Sequence, residues 1–251
     1  MEQAADHGGP AGQQQPVCRS NPAVEAKNGM VVTSQHLASQ VGVDILKLGG
    51  NAIDAAVAVG YAQAVVNPCC GNIGGGGFMT IHLAEGTDTF INFRETAPAA
   101  ASANMYLDAE GNVKKGASLY GYLAAGVPGT VLGMETARQK YGKLSREQVM
   151  GPAIKLAREG FVLTRADTDI LDTTVARFKQ DPESAKIFLR PDGTALQPGD
   201  RLVQSDLANT LEAIAKDGPD AFYKGKIPQA VEAAAKQGGG ILTATTSPTT
   251  K

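Results

Sequence analysis

Arg94 closes a strand-like run in which Phe90, Ile91 and Phe93 anchor the backbone, and a Pro/Ala loop follows it directly. A guanidinium fixed at a strand end can grip a carboxylate through two parallel hydrogen bonds. The same side chain could instead pair with Glu95 or Asp88, or face water. Upstream, Gly74, Gly75, Gly76 and Gly77 form an unbroken run. Four glycines either let helix and sheet backbones approach closely or expose amides to a ligand. A phosphate cradle needs a helix after its turn, but an extended segment follows here, without a GK[ST] signature. Nucleotide binding therefore lacks its structural context.

Other reactive side chains are read more plainly. Cys69 and Cys70 adjoin the glycine run, yet no histidine neighbours them in sequence, so a small-residue packing role is expected rather than thiol catalysis. Asp54 lies three residues after Asn51, the spacing of a helix cap, and that reading outweighs a catalytic carboxylate. His36 falls in a first helical turn and His82 in a strand, which suits surface or packing roles.

Composition narrows the classes further. Lys and Arg total 23 against 25 Asp and Glu, a net charge of −2, and the pI is about 5.9. No basic field is available for a phosphate backbone, so nucleic acid is not an expected partner. No stretch approaches the roughly 20 apolar residues a bilayer span requires. Three cysteines and three scattered histidines give neither a disulfide framework nor metal spacing, which leaves only a metal site assembled from distant residues open. With 30 glycines in 251 residues and no tryptophan, the core must be aliphatic, with backbones brought close together.

These side chains need positioning elements. MVVTS, from Met30, predicts a short strand. Leu37, Val41, Ile45 and Leu48 recur at helical spacing and Gly49-Gly50 stops that helix. Asn51 starts an Ala/Val helix, apolar on nearly every side, that ends before Pro68 and reads as buried and central. FMTIHLA and TFINF predict a hairpin across EGTD. After a loop over Asn104 to Tyr122, helices are predicted at Thr130 to Tyr141, Ser145 to Gly160, and Thr164 to Phe178 as one segment. Gln148 completes a capping box with Ser145, and Pro152 should kink or shorten that helix. Two turn signals follow in RPDGTALQPGD. Helices at Ser205 to Lys216, capped by Ser205, and at Ile227 to Lys236 complete the pattern.

Residues 1–23 read as a flexible tail or expression remnant, with no apolar run to make a signal peptide. Residues 24–242 form the structured region, and residues 243–251 a divergent Ser/Thr-rich end.

The segment VGVDILKLGGNAIDAAVAVGYAQAVVNPCCGNIGGGGFMTIHL, followed by FINFRETAPAAASANMYLD, resembles the N-terminal part of the gamma-glutamyltransferase large subunit. GVPGTVLGMETARQKYG, PAIKLAREGF and LVQSDLANTLEAIAKDGPDAFYKG extend the likeness in the same order. The resemblance implies an α/β (α+β) chain carrying part of an N-terminal-nucleophile hydrolase sandwich, layered α-β-β-α. It also implies a self-cleaving precursor, whose small subunit begins with the threonine that attacks the glutamyl carbonyl. A gamma-glutamyl-enzyme then passes its acyl group to water or to an amino acid or peptide acceptor. Glutathione and related compounds are the implied substrates, and the periplasm or secretion the implied location.

Carried over by residue, the resemblance makes Arg94 in FRETAPA the group that binds the substrate α-carboxylate. Gly74 to Gly77 receive a structural role only, because oxyanion stabilisation falls mainly to the other subunit. Thr245-Thr246 is followed by Ser247, not the histidine of the family's Thr-Thr-His, so no catalytic nucleophile is expected in this chain. The remainder of the large subunit and the small subunit are the expected partners. Two other readings remain: a non-catalytic scaffold or regulator, and a relative acting on another acyl group, such as a cephalosporin acylase. Arg94 favours a glutamyl-type carboxylate over the last.

Overall fold

The computed structural model describes residues 24–244. The predicted tail over 1–23 and the Thr245, Thr246 and Ser247 triplet lie outside them. The chain divides into two units, Met1–Met30 and Val31–Lys251. Within the first, Val24–Met30 form no helix or strand.

The second unit opens with α1 (His36–Lys47) and α2 (Ala52–Val66), separated by Gly49 at φ +97°, a left-handed turn that glycine adopts without strain. The hairpin β1 (Phe78–His82) and β2 (Asp88–Asn92) follows, with Thr80 opposite Phe90 and His82 opposite Asp88. Beyond a 3-10 turn at Tyr122–Ala124 come α3 (Thr130–Tyr141) and α4 (Arg146–Glu159). A second hairpin pairs β3 (Phe161–Val162) with β4 (Arg201–Leu202) across α5 (Arg165–Asp172), α6 (Val175–Phe178) and α7 (Pro182–Phe188). The last helices are α8 (Ser205–Asp217), α9 (Pro219–Tyr223) and α10 (Lys226–Gln237).

The centre is α2, which packs against α1, α3 and α4. Val57, Ala58, Tyr61, Ala62 and Val65 are buried, so its all-round apolar sequence finds neighbours on every side. Glycines set the spacing. A Cβ on Gly42 of α1 would fall 2.8 Å from the Val59 side chain of α2, and one on Gly60 would strike Met134 of α3. On the far side, Val149 and Met150 of α4 are buried with Leu211 and Ile214 of α8. Each such aliphatic chain contributes about 1.5–3 kcal/mol of burial free energy.

Several local expectations are corrected. Val31 to Ser34 form no strand: the segment has no pairing partner, and Thr33 instead hydrogen-bonds Gln35 and Ser39. The single helix predicted over Thr164 to Phe178 breaks at Thr173-Thr174, where the Thr174 amide turns back to Leu171. Thr173 and Thr174 also engage one another and the Ile170 carbonyl, giving the backbone an alternative to the helix. Pro152 does not shorten α4, which runs through it and is packed against α2 and α8 on either side of it. Ser205 does not cap α8. The flanking residue is Gln204, whose buried amide donates to the Val65 carbonyl at 2.8 Å.

Candidate functional site

Arg94 leaves the end of β2 on a backbone held from several directions. Its amide donates to Asn92 Oδ1 at 3.0 Å, and Phe93 and Gly77 exchange backbone hydrogen bonds at 3.0 and 3.3 Å. Thr96 exchanges a second pair with Val127 at 3.3 and 2.8 Å. The Arg94 peptide therefore sits between two short antiparallel contacts.

Gly76 closes the remaining side. A Cβ there would lie 2.5 Å from the Phe93 oxygen and 2.6 Å from the Glu95 nitrogen, both main-chain atoms. Gly129 and Gly133 converge from the other side: a Cβ on Gly129 would strike the Phe93 carbonyl, and one on Gly133 the Phe93 ring. Gly75 uses its carbonyl to accept from Gly129 at 2.7 Å and Thr130 at 3.0 Å. Those are orphan amides at the start of α3, whose flanking Gly129 has no side chain to cap them. A Cβ on Gly77 would lie 3.0 Å from the Phe93 ring and one on Gly75 2.7 Å from the Asn72 side chain, whereas one on Gly74 would meet only Asn72 Oδ1, at 3.7 Å. None of the four has a positive φ, so the run is required for close approach and not for a left-handed turn.

The Arg94 side chain is 58% exposed. Its Nε lies 3.2 Å from Glu95 Oε2, and its guanidinium carbon 5.9 Å from the Phe78 ring centre. Glu95 Oε2 is buried and accepts no directed hydrogen bond, so this is a loose ion pair. Such half-exposed pairs are worth about 0–1 kcal/mol. Nη1 and Nη2 make no hydrogen bond among the described residues. Arg94 helps line a hollow of about 360 Å³, together with Glu95, Pro98, Met105, Tyr106 and Leu123. Among the described residues this leaves a fork of donors without a hydrogen bond on a residue that lines a mixed polar and apolar cavity, which suits a carboxylate with a carbon chain attached.

The remaining sequence candidates lie apart from one another. Cys69 and Cys70 are exposed, which corrects the expected packing role. Partial desolvation and the adjoining Cys70 thiol push the Cys69 thiol up to about 11, away from a thiolate nucleophile. His36 is exposed in α1. His82 pairs across the hairpin with Asp88 at 2.7 Å, both largely exposed. Asp54 makes the capping box with Asn51, and does more: fully buried, it also accepts from the Lys143 and Leu144 amides at 3.0–3.2 Å.

One buried charge group was not foreseen. Glu135 accepts from Arg138 at 2.8 and 3.0 Å and from Arg146 at 2.7 and 3.1 Å. Burial pushes its carboxyl up, but the two guanidinium groups outweigh that and hold it at about 2. Beside it, burial raises the Tyr61 phenol, and burial likewise lifts Tyr223 to about 12 although its oxygen accepts from Leu132 at 3.2 Å. The i,i+3 spacing of Glu135 and Arg138 was the available signal; Arg146 joins only in three dimensions. The cluster ties α3 to α4 and lies in packed interior, not in the hollow. No helix of the described residues is long and apolar enough to cross a membrane.

Comparison with known proteins identifies the relatives of this chain. The gamma-glutamyltranspeptidase family model matches residues 38–245. A glutathione hydrolase proenzyme from Pseudomonas sp. (strain A14) is 60% identical over 224 residues, covering 89% of this chain and 39% of the relative. The gamma-glutamyltranspeptidase of Helicobacter pylori superposes with a TM-score of 0.89 at 46% identity, over 92% of this chain and 66% of that one. A cephalosporin acylase from Bacillus halodurans gives 0.80 at 30% identity, over 95% and 46%. The chain thus spans about two fifths of the length of the curated relative, and its two small hairpins represent only part of that mixed helix-and-sheet fold. By the extent of the family match, the chain belongs to the gamma-glutamyltranspeptidase family.

Proposed function

We propose that this chain is the substrate-recognising N-terminal part of an enzyme that cleaves the gamma-glutamyl amide of glutathione and related compounds. The acyl group passes through a threonyl ester to water or to an amino acid or peptide acceptor. The threonine belongs to a small subunit released from a proenzyme, the word carried by the relatives' names. Arg94 binds the glutamyl α-carboxylate, and Gly75, Gly76 and Gly77 fix the peptide from which it projects, while Gly74 only continues the loop. No metal or organic cofactor takes part in this reading, and the enzyme works in the periplasm or outside the cell.

The observation that carries the reading is Arg94 lining the hollow, with Nη1 and Nη2 free of hydrogen bonds among the described residues, on a backbone clamped by Gly76 and Gly129. The outer face of the β1–β2 hairpin supports dependence on the rest of the enzyme. Phe78 and Phe90 are 58% and 54% exposed there, with ring centres 5.6 Å apart. Such a face calls for cover by the remainder of the large subunit and the small subunit.

The test is Arg94→Ala and Arg94→Lys in the complete enzyme, with glutathione as substrate. Losing the bidentate contact should raise KM by about 10- to 100-fold in Arg94→Ala, as expected when a charge-assisted pair is removed. Arg94→Lys should recover only part of it. Unchanged kinetic constants in Arg94→Ala would overturn the assignment.

A second reading, acyl transfer from a cephalosporin-type substrate, rests on the cephalosporin acylase likeness. Arg94 at the hollow favours the glutamyl substrate, and a preference for glutaryl over gamma-glutamyl amides would reverse that order.

A further inference from the structure

Gly238, Gly239 and Gly240 end α10, and they stand there for different reasons. Gly239 has φ +76°, the left-handed turn that stops the helix, and the Gly240 amide then donates back to the Ala235 carbonyl at 2.7 Å. Gly238 and Gly240 instead make room for Tyr122. A Cβ on Gly238 would strike the Tyr122 ring, and one on Gly240 would lie 2.7 Å from the Tyr122 carbonyl oxygen and 2.8 Å from its Cβ. One helix end thus seats both the ring and the main chain of a residue far back along the chain. The Tyr122 phenol makes no hydrogen bond among the described residues, so the ring is held by shape.

Tyr122 opens the 3-10 turn whose other residues, Leu123 and Ala124, line the hollow together with Arg94. Past that turn the chain is held again. Gly126 lies against Glu95, where a Cβ would meet the Glu95 Cβ at 3.1 Å, and Val127 exchanges its backbone hydrogen bonds with Thr96. Between these two anchorages run Leu123, Ala124 and Ala125, all of which line the hollow. The Tyr106 hydroxyl donates to the Leu123 carbonyl at 3.4 Å, too long to fix this wall by itself. Its place beside Arg94 is therefore set at its two ends, and Tyr122 is one of them.

We propose that Tyr122 is a positioning residue for substrate binding: its seat on Gly238 and Gly240 fixes Leu123 and Ala124 as the wall that packs on the carbon chain of the bound gamma-glutamyl group. The inference rests on the reading of the Arg94 hollow as the glutamyl site. Tyr122 does not itself line the hollow, so it acts through the wall and takes no part in acyl transfer. Loosening the seat removes binding that substrate and transition state share, which raises KM and leaves kcat in place.

The test uses the complete enzyme with glutathione as substrate. Tyr122→Ala, at an exposed position, should raise KM by about 5- to 10-fold and keep kcat within about twofold of the parent. Tyr122→Phe keeps the ring and should match the parent. Gly238→Ala should raise KM like Tyr122→Ala, but should add nothing in the Tyr122→Ala background, where no ring is left to strike. Thr164→Ala, which removes the cap of α5, should lower the melting temperature without moving KM. An unchanged KM in Tyr122→Ala, or a fall in kcat alone, overturns the proposal. So does a Tyr122→Phe variant as weak as Tyr122→Ala, an additive effect of Gly238→Ala, or an equal rise in KM from Thr164→Ala. Arg94→Ala, assayed alongside, separates the two readings. A raised KM there with Tyr122→Ala unchanged overturns the positioning role alone, whereas unchanged constants in Arg94→Ala overturn the glutamyl site on which it rests.

Discussion

The Gly129 amide donates to the Gly75 carbonyl at 2.7 Å, and this contact joins the glycine loop to the start of α3 around the Arg94 peptide. The loop thereby caps a helix that has no capping side chain, and the helix start closes the space through which Arg94 leaves its strand.

Glycine substitutions should separate along this run. Gly76→Ala forces a methyl into the main chain of Phe93 and Glu95, neither of which can yield cheaply. We expect about 1–3 kcal/mol of destabilisation, in line with overpacking at a close contact. Gly74→Ala, with only Asn72 Oδ1 at 3.7 Å, should stay within about 0.5 kcal/mol of the parent. Urea midpoints of the two variants check the difference.

Asp54→Asn replaces a buried acceptor with a side chain that turns an NH2 toward the Lys143 and Leu144 amides or toward Asn51. The carboxylate is fully buried, so the unmatched donors cannot turn to water. A loss of about 2–4 kcal/mol is expected from breaking a charge-assisted network of this kind. Equilibrium unfolding with an unchanged denaturant slope would show it.

Acid should expose the Glu135 cluster. Its folded carboxyl is held at about 2, below the ordinary 4.5, so its stabilisation is complete above 4.5. It is lost progressively as pH falls from there through about 2, and the linked free energy is on the order of 3 kcal/mol. Glu135→Gln should be less stable than the parent at pH 6. The gap should narrow by pH 2.5, when urea midpoints are compared at both values.

The Phe78–Phe90 stack should make the hairpin face bind an apolar dye in the chain on its own. Phe90→Ser should lower that signal while costing about 1 kcal/mol, the worth of an exposed aromatic pair. Dye fluorescence unchanged by Phe90→Ser would show that the apolar face lies elsewhere.

What could be read from sequence was what the chain decides over a few residues. Asn51 with Asp54 and Ser145 with Gln148 make their capping boxes at i,i+3, and β1 and β2 face each other across a short turn. Helix periodicity placed α1, α2, α3, α4, α8 and α10 because each buries one apolar face or, for α2, all of them. The place of Arg94 just after β2 was legible because a strand and a loop bracket it. The break at Thr173-Thr174 and Gln204 in place of Ser205 were not, because side-chain hydrogen bonds compete there with helix geometry.

The sequence by itself determined the family, the helical order and Arg94 as the group to watch, because these depend on residue order and short spacings. Only the tertiary structure decided which glycines matter. Gly76 and Gly129 are more than fifty residues apart, and their demand for a bare α-carbon arises where both backbones meet the Phe93–Glu95 peptides. The same holds for Arg146 beside Glu135. Steric exclusion and charge pairing act through space, and their partners are set by how the helices pack around α2.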